Sequence, residues 1–226
     1  LVCRPLEVAG FTNGFSTRLG GVSAFATGGD LNLAGFDEDS AENIHENRRR
    51  FLNVFDGDYE LTSAWQVHGD AVKVVATRAD AENTEEKFDA LVSDLPGILI
   101  GVKTADCVPV LIGDPEKRAF AAVHAGWRGT SRSIVQKAVE KMREAYGSEP
   151  SGLICSIGPA ALCGNYEIGQ DVIDAFAHFP NREEYFNPTR EGHALVDLHR
   201  ANKDQLIAAG VNMHNIFSAP FCTMER

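Results

Sequence analysis

No run of 18 apolar residues occurs in this chain, so no helix of membrane-spanning length is expected. No G-x-G-x-x-G opens a helix after the first strand candidate, and no G-x-x-x-x-G-K-[ST] occurs. The usual backbone cradles for dinucleotides and nucleoside triphosphates are therefore missing. Positive charge is scarce as well: 21 Lys and Arg face 32 Asp and Glu, for a formal charge of −11. That balance disfavours nucleic acid and anionic membrane as partners. It also gives weight to any arginine near a site, because an anionic substrate needs local compensation. Five cysteines, an odd number without framework spacing, fit a reducing compartment, and the cytoplasm is expected. The chain begins at Leu1, and a short native segment is expected before it. With 226 residues and no internal repeat, a single domain over 1–226 is the expectation.

What is present centres on residues 103–130, K-T-A-D-C-V-P-V-L-I-G-D-P-E-K-R-A-F-A-A-V-H-A-G-W-R-G-T. The apolar arms 108–112 and 119–123 favour strands. Gly113-Asp114-Pro115-Glu116-Lys117-Arg118 between them is a turn signature. A hairpin with its tip at Pro115-Glu116 sets Cys107 directly opposite His124, with Cβ atoms roughly 4.5–5.5 Å apart. A thiol and an imidazole at that separation share either a proton or a metal. A one-residue slip would put them on opposite faces. The continuation Ala125-Gly126-Trp127-Arg128-Gly129 adds close backbone approach, a stacking face and an anion fork.

Elsewhere, Arg18 beside Gly20-Gly21 precedes a Gly-rich loop ending in Asp30-Leu31-Asn32-Leu33. Residues 39–55 read as a helix with Ser40 as N-cap. Strands are expected over 61–67, 71–76, 88–92 and 98–102, with 78–87 a charged loop. His68, at a strand end and followed by Gly69, is placed to point into a cleft. A helix capped by Thr130 or Ser131 should run to about Tyr146, with Ile134, Ala138, Met142 and Ala145 inward. Strand 153–158, helix 169–178, a polar connection over 180–192, strand 193–197, helix 198–209 and strand 216–219 follow. Leu198, Leu206 and Ile207 form the apolar face of the last helix, and Cys155 and Cys163 read as buried. Strands alternate with helices but a hairpin interrupts them. The expected fold class is α/β, with mixed sheets covered by helices.

Two chemistries fit these residues. In one, His124 deprotonates Cys107 and the thiolate attacks a carbonyl or amide carbon. In the other, His68, Cys107 and His124 bind zinc and leave a fourth position open for water or substrate. Asp106 would then serve as general acid or base. His68 separates the two, because a bare thiol mechanism does not need it.

The motifs Gln66-Val67-His68-Gly69, Ala105-Asp106-Cys107-x-Pro109-Val110 and His124-Ala125-Gly126-Trp127-Arg128-Gly129 resemble those of the YfiH family. These are the laccase-domain proteins, also named purine nucleoside phosphorylases and formerly polyphenol oxidases. Ser16-Thr17-Arg18-x-Gly20-Gly21-Val22-Ser23, Asn32, Asn47-Arg48 and Ile157-Gly158-Pro159 extend the resemblance along nearly the whole chain. It implies a single layered α-β-β-α domain with mixed sheets. It implies a metal triad at His68, Cys107 and His124, holding zinc, with copper the alternative. It implies phosphorolysis of adenosine, inosine, guanosine and methylthioadenosine, plus deamination of adenosine. The partners are then a purine nucleoside and phosphate. Arg18 and Arg128 would clamp the anion, Trp127 would line the base pocket, and Asn32 and Gln66 would complete the substrate contacts. The family's adjacent cysteines before Tyr-Glu become Cys163-Gly164-Asn165-Tyr166-Glu167 here. The runner-up is a Cys–His hydrolase or amidase acting on a small amide or peptidoglycan precursor. Copper-dependent polyphenol oxidation ranks last, because the seven histidines include no His-x-His pair.

Overall fold

The computed structural model describes residues 1–25, 28–34 and 39–225. Ala26 and Thr27, inside the Gly-rich loop, lie outside the described residues. The chain divides into two units, Leu1–Leu61 with Gly97–Leu99 and Thr62–Pro96 with Ile100–Arg226.

In the first unit the helix Ala41–Leu52 starts where expected, with Ser40 accepting from the Asn43 amide at 3.2 Å. One buried side chain of this helix, Asn47, ties down the strand Leu19–Ser23. Its Oδ1 accepts from Val22 N at 2.8 Å, and its Nδ2 donates to Ser23 Oγ at 2.8 Å and Asn32 O at 2.9 Å. Every polar atom of that amide is thus matched, as burial requires. Gly21 cannot be replaced here, since a Cβ would lie 2.1 Å from Asp30 O.

The second unit is built on a six-stranded mixed sheet. Its order is Ile216–Ser218, Ile154–Ile157, Val108–Gly113, Phe120–Ala125, Ala90–Ser93 and Val72–Val75. The two outer pairs are parallel and the inner pairs antiparallel. Its central strands are apolar runs because both faces are covered. The helix Ile134–Tyr146 buries Ile134, Val135, Ala138, Val139 and Met142 in the core around this sheet. The helix Leu198–Ala208 packs beside it. Separately, Glu167–Gly169, His193–Val196 and Phe186–Pro188 form an antiparallel three-stranded sheet, and Glu60–Ser63 pairs with Ile98–Gly101. The mixed-sheet α/β expectation holds.

Several local expectations need correction. Residues 78–87 are not all loop: Thr77 and Asp80 form a reciprocal capping box that starts the helix Arg78–Glu82. The helix after the hairpin is two pieces, Trp127–Ser131 and Ile134–Tyr146, broken at Ser133 with φ 61°. Ile207 is 42% exposed, and Asn202 and Gln205 take the inward face because they bond Thr130. Ala145 is exposed and Cys163 half-buried, whereas Cys155 is fully buried. The connection 180–192 contains the strand Phe186–Pro188.

The hairpin register also differs. His124 stands opposite Pro109, and Cys107 lies one residue beyond the terminal pair Val108↔Ala125. The tip explains this. Asp114 Oδ1 accepts from Glu116 N at 2.9 Å and Lys117 N at 3.1 Å, and Arg118 takes φ 59° before Ala119 O receives Asp114 N at 2.8 Å. The turn is therefore centred later than Pro115-Glu116. The shift is two positions, an even number, so Cys107 and His124 keep one face and become diagonal neighbours.

Candidate metal centre

Three segments of the second unit converge. His124 is the penultimate residue of the strand Phe120–Ala125 and is 3% exposed. Cys107 leads into Val108–Gly113 and is half-buried. His68 is exposed, on the loop before Val72–Val75, and holds φ 56°. The ligand-capable atoms of the three residues lie within 4.8 Å of one another. The two imidazoles meet edge to face, with centroids 4.8 Å apart and planes at 79°. Gly126 makes the approach sterically feasible, for a Cβ there would sit 3.0 Å from Cys107 Sγ and 3.3 Å from His68 Cδ2.

Asp89, which the sequence pattern did not single out, stands behind both histidines with no exposed surface. Its Oδ1 receives His124 Nδ1 at 2.8 Å and His68 N at 2.9 Å. Its Oδ2 receives Gly69 N at 2.7 Å and Val67 N at 3.2 Å. Burial raises the Asp89 pKa, but the bonds from His124, Gly69 and Val67 outweigh it, so the carboxyl stays below its usual range. Burial likewise acts to lower His124, yet hydrogen bonds with Asp89 and Cys107 push it up to about 9. His68 is lowered, by burial first and then by the neighbouring His124. The one hint of Asp89 in the sequence is a lone charge opening the apolar run Ala90-Leu91-Val92.

The other expected site residues are placed as follows. Asp106 Oδ1 accepts from Thr223 Oγ1 at 2.7 Å, and its carbonyl receives Ala161 N at 2.8 Å. Gln66 is committed to the main chain: its Nε2 donates to Lys103 O and its Oε1 accepts from Lys103 N, both at 2.7 Å. That pairing fixes the segment leading to Cys107, so Gln66 positions the loop. Trp127 is half-buried against the core, and the Arg128 guanidinium stacks over its ring at 4.3 Å. Tyr166, also not foreseen, has its phenol raised by burial and then by the charges of Cys107 and Asp106. Arg18 and Asn32 belong to the first unit. There Arg18 Nη1 lies 3.6 Å from Asp30 Oδ1, and Asn32 Oδ1 accepts from Ala34 N at 3.0 Å.

Residues 12–226 match the protein family described as multi-copper polyphenol oxidoreductase laccase. The chain belongs to this family, the YfiH family. A YfiH-family relative named adenosine deaminase RL5, from an unknown prokaryotic organism, is 34% identical over 218 residues, covering 92% of this chain and 83% of that protein. Another, named purine nucleoside phosphorylase, from Deinococcus radiodurans, is 40% identical over 200 residues, covering 87% of this chain and 74% of that protein. The crystal structure of the Bacillus licheniformis hypothetical protein YfiH superposes with a TM-score of 0.84 at 28% identity, covering 91% of this chain and 81% of that one.

The YfiH-family description names several coppers, and the donor set can be tested against it. Among the described residues, one group of three or more His, Cys, Asp or Glu side chains is close enough to hold an ion, and it is His68, Cys107 and His124. Two imidazoles and a thiolate suit a single tetrahedral ion with one position left open. Ligands of such an ion stand ~3.4–3.6 Å apart, given metal–N and metal–S lengths near 2.0 and 2.3 Å. Closure by about 1 Å in the longest pair would be enough. No helix among the described residues is long and apolar enough to cross a membrane.

Proposed function

We propose that this protein is a zinc-dependent purine nucleoside phosphorylase that also deaminates adenosine. The observation that carries the reading is the convergence of His68, Cys107 and His124 with an Asp89-backed imidazole. The relatives' names, purine nucleoside phosphorylase and adenosine deaminase, supply the substrate class. Zinc, when bound, would activate a water and polarise a substrate oxygen or nitrogen.

The chain's own residues supply the rest. Asp89 accepts a hydrogen bond from His124 Nδ1–H, so the neutral ring would offer its Nε2 lone pair to the ion. The Cys107 thiolate contributes charge that binds the ion and lowers its net positive field. His68 is exposed, so substrate would reach the site from its side. Asp106, fixed through Oδ1 by Thr223, is the acid or base that carries protons to the leaving group. Arg128, held flat on Trp127, offers its fork to phosphate; Trp127 then serves as the guanidinium's platform as well as a pocket wall. Arg18 and Asn32 are proposed as further substrate contacts, and the cytoplasm as the place of work.

A second reading has its own support, since Asp89, His124 and Cys107 follow the order of a carboxylate, an imidazole and a thiol nucleophile. It describes a thiol hydrolase or amidase. The decisive experiment is product analysis of adenosine with the zinc-loaded protein, with and without inorganic phosphate. Adenine and ribose 1-phosphate formed only with phosphate, together with inosine formed in either tube, are the expected products. No product in either tube would overturn the proposal.

A further inference from the structure

We infer that Asp89 is the positioning residue that presents both histidines to the metal: Oδ1 bonds both of them, and Oδ2 holds the amides on either side of His68. The inference rests on the metal reading above and deepens it. Oδ1 holds the His124 ring through Nδ1 at 2.8 Å and touches His68 N at 2.9 Å. Oδ2 holds the flanking amides, Gly69 N at 2.7 Å and Val67 N at 3.2 Å. Three consecutive N–H groups thus converge on one buried carboxylate. A non-glycine residue at φ 56° is uncommon and costs about 1 kcal/mol or more, so the loop needs such an anchor to keep His68 there. The strand Ala90–Ser93 follows directly and pairs with Phe120–Ala125, and Asp89 O also receives His124 N at 2.7 Å. Sheet register therefore fixes where this carboxylate stands.

Replacement by Asn isolates the effect, because it keeps shape and removes one acceptor. All four groups facing the carboxylate are donors, so the new NH2 must confront two of them whichever way the amide turns. Turned toward His124, the NH2 forces Nδ1 to accept, moves the ring proton to Nε2 and removes the metal-binding lone pair. Turned toward Val67 and Gly69, it strips their acceptor and frees the His68 loop. Either orientation takes one histidine from the site. The carboxylate's value is that it accepts on both sides.

The test is zinc affinity of the whole chain, measured by competition with a chromophoric chelator for wild type and Asp89→Asn. The expected result is one zinc per chain, with affinity weakened on the order of 10- to 100-fold in the variant. Equal affinity in the two proteins overturns the inference and leaves the metal reading intact. A wild type that binds no zinc overturns the metal reading itself. Should the variant not fold, the wild type answers by NMR. The metal-free protein must carry the His124 proton on Nδ1, and the amides of Val67, His68 and Gly69 must exchange slowly although they lie outside a helix or strand. A His124 ring without a proton on Nδ1, or fast exchange at the three amides, overturns the inference.

Discussion

Gly126 and Cys107 are packed so closely that a single methyl group between them would touch sulfur, at 3.0 Å from Sγ. Gly126 has φ −68° and ψ 170°, a backbone that any residue adopts, so Gly126→Ala carries no conformational strain. Its effect must come through the displaced Cys107 sulfur and the neighbouring His68 ring. The variant should fold with a melting temperature close to wild type and bind zinc roughly tenfold more weakly. Chelator competition beside a thermal melt checks this, and unchanged affinity would contradict a metal site at this contact.

The core should respond independently of the site. Met142 is fully buried on the inward face of the helix Ile134–Tyr146. Met142→Ala should destabilise the protein by about 2–5 kcal/mol in urea unfolding. Zinc stoichiometry in the folded fraction should stay the same.

A polar clamp secures the turn that carries Trp127 and Arg128. The buried Gln205 donates through Nε2 to Thr130 O at 2.7 Å, and Asn202 Nδ2 donates to Thr130 Oγ1 at 3.1 Å. Gln205→Ala removes this bond while Ser133 N still donates to Thr130 O at 3.0 Å, so the expected loss is that of one hydrogen bond, about 0.5–1.5 kcal/mol. Equilibrium unfolding measures the loss, and phosphate KM should rise more than kcat falls if the turn positions Arg128.

Acid should weaken the first unit through Glu46. Hydrogen bonds from Arg49 and then Arg50 hold its carboxyl down to about 2, from 4.5. A depressed folded pKa means the contribution is complete above about 4.5 and disappears as pH falls toward 2. These ion pairs lie at the surface, so the effect is small. Wild type should lose more stability than Glu46→Gln between those pH values, and parallel losses would contradict the assignment.

Much of the site was legible because its chemistry is concentrated in short motifs. His68-Gly69, Asp106-Cys107 and His124-Ala125-Gly126 could be picked out one at a time, and the even shift in the hairpin left Cys107 and His124 on one face. Asp89 was not legible. It reaches His124 across 35 positions of sequence, through the pairing of Ala90–Ser93 with Phe120–Ala125, and no local pattern encodes that pairing. The pairing of Gln66 with Lys103 was not legible for the same reason, since the two lie 37 positions apart. Helix ends followed a different rule. Ser40 caps as its sequence suggests, whereas the break at Ser133 is a left-handed residue chosen by packing rather than by propensity. The Thr77–Asp80 box was written in the sequence and hidden by the surrounding charge.

The account turns on whether His68 is a ligand. His68→Gly removes the imidazole, and glycine accepts φ 56° without strain, so the fold is not put at risk. The measurement is zinc per chain and adenosine turnover on the same preparation, with wild type alongside. The account predicts that the variant loses both tight zinc binding and turnover. Turnover that survives without zinc would contradict it, and would leave Asp89, His124 and Cys107 as the working parts of a thiol hydrolase.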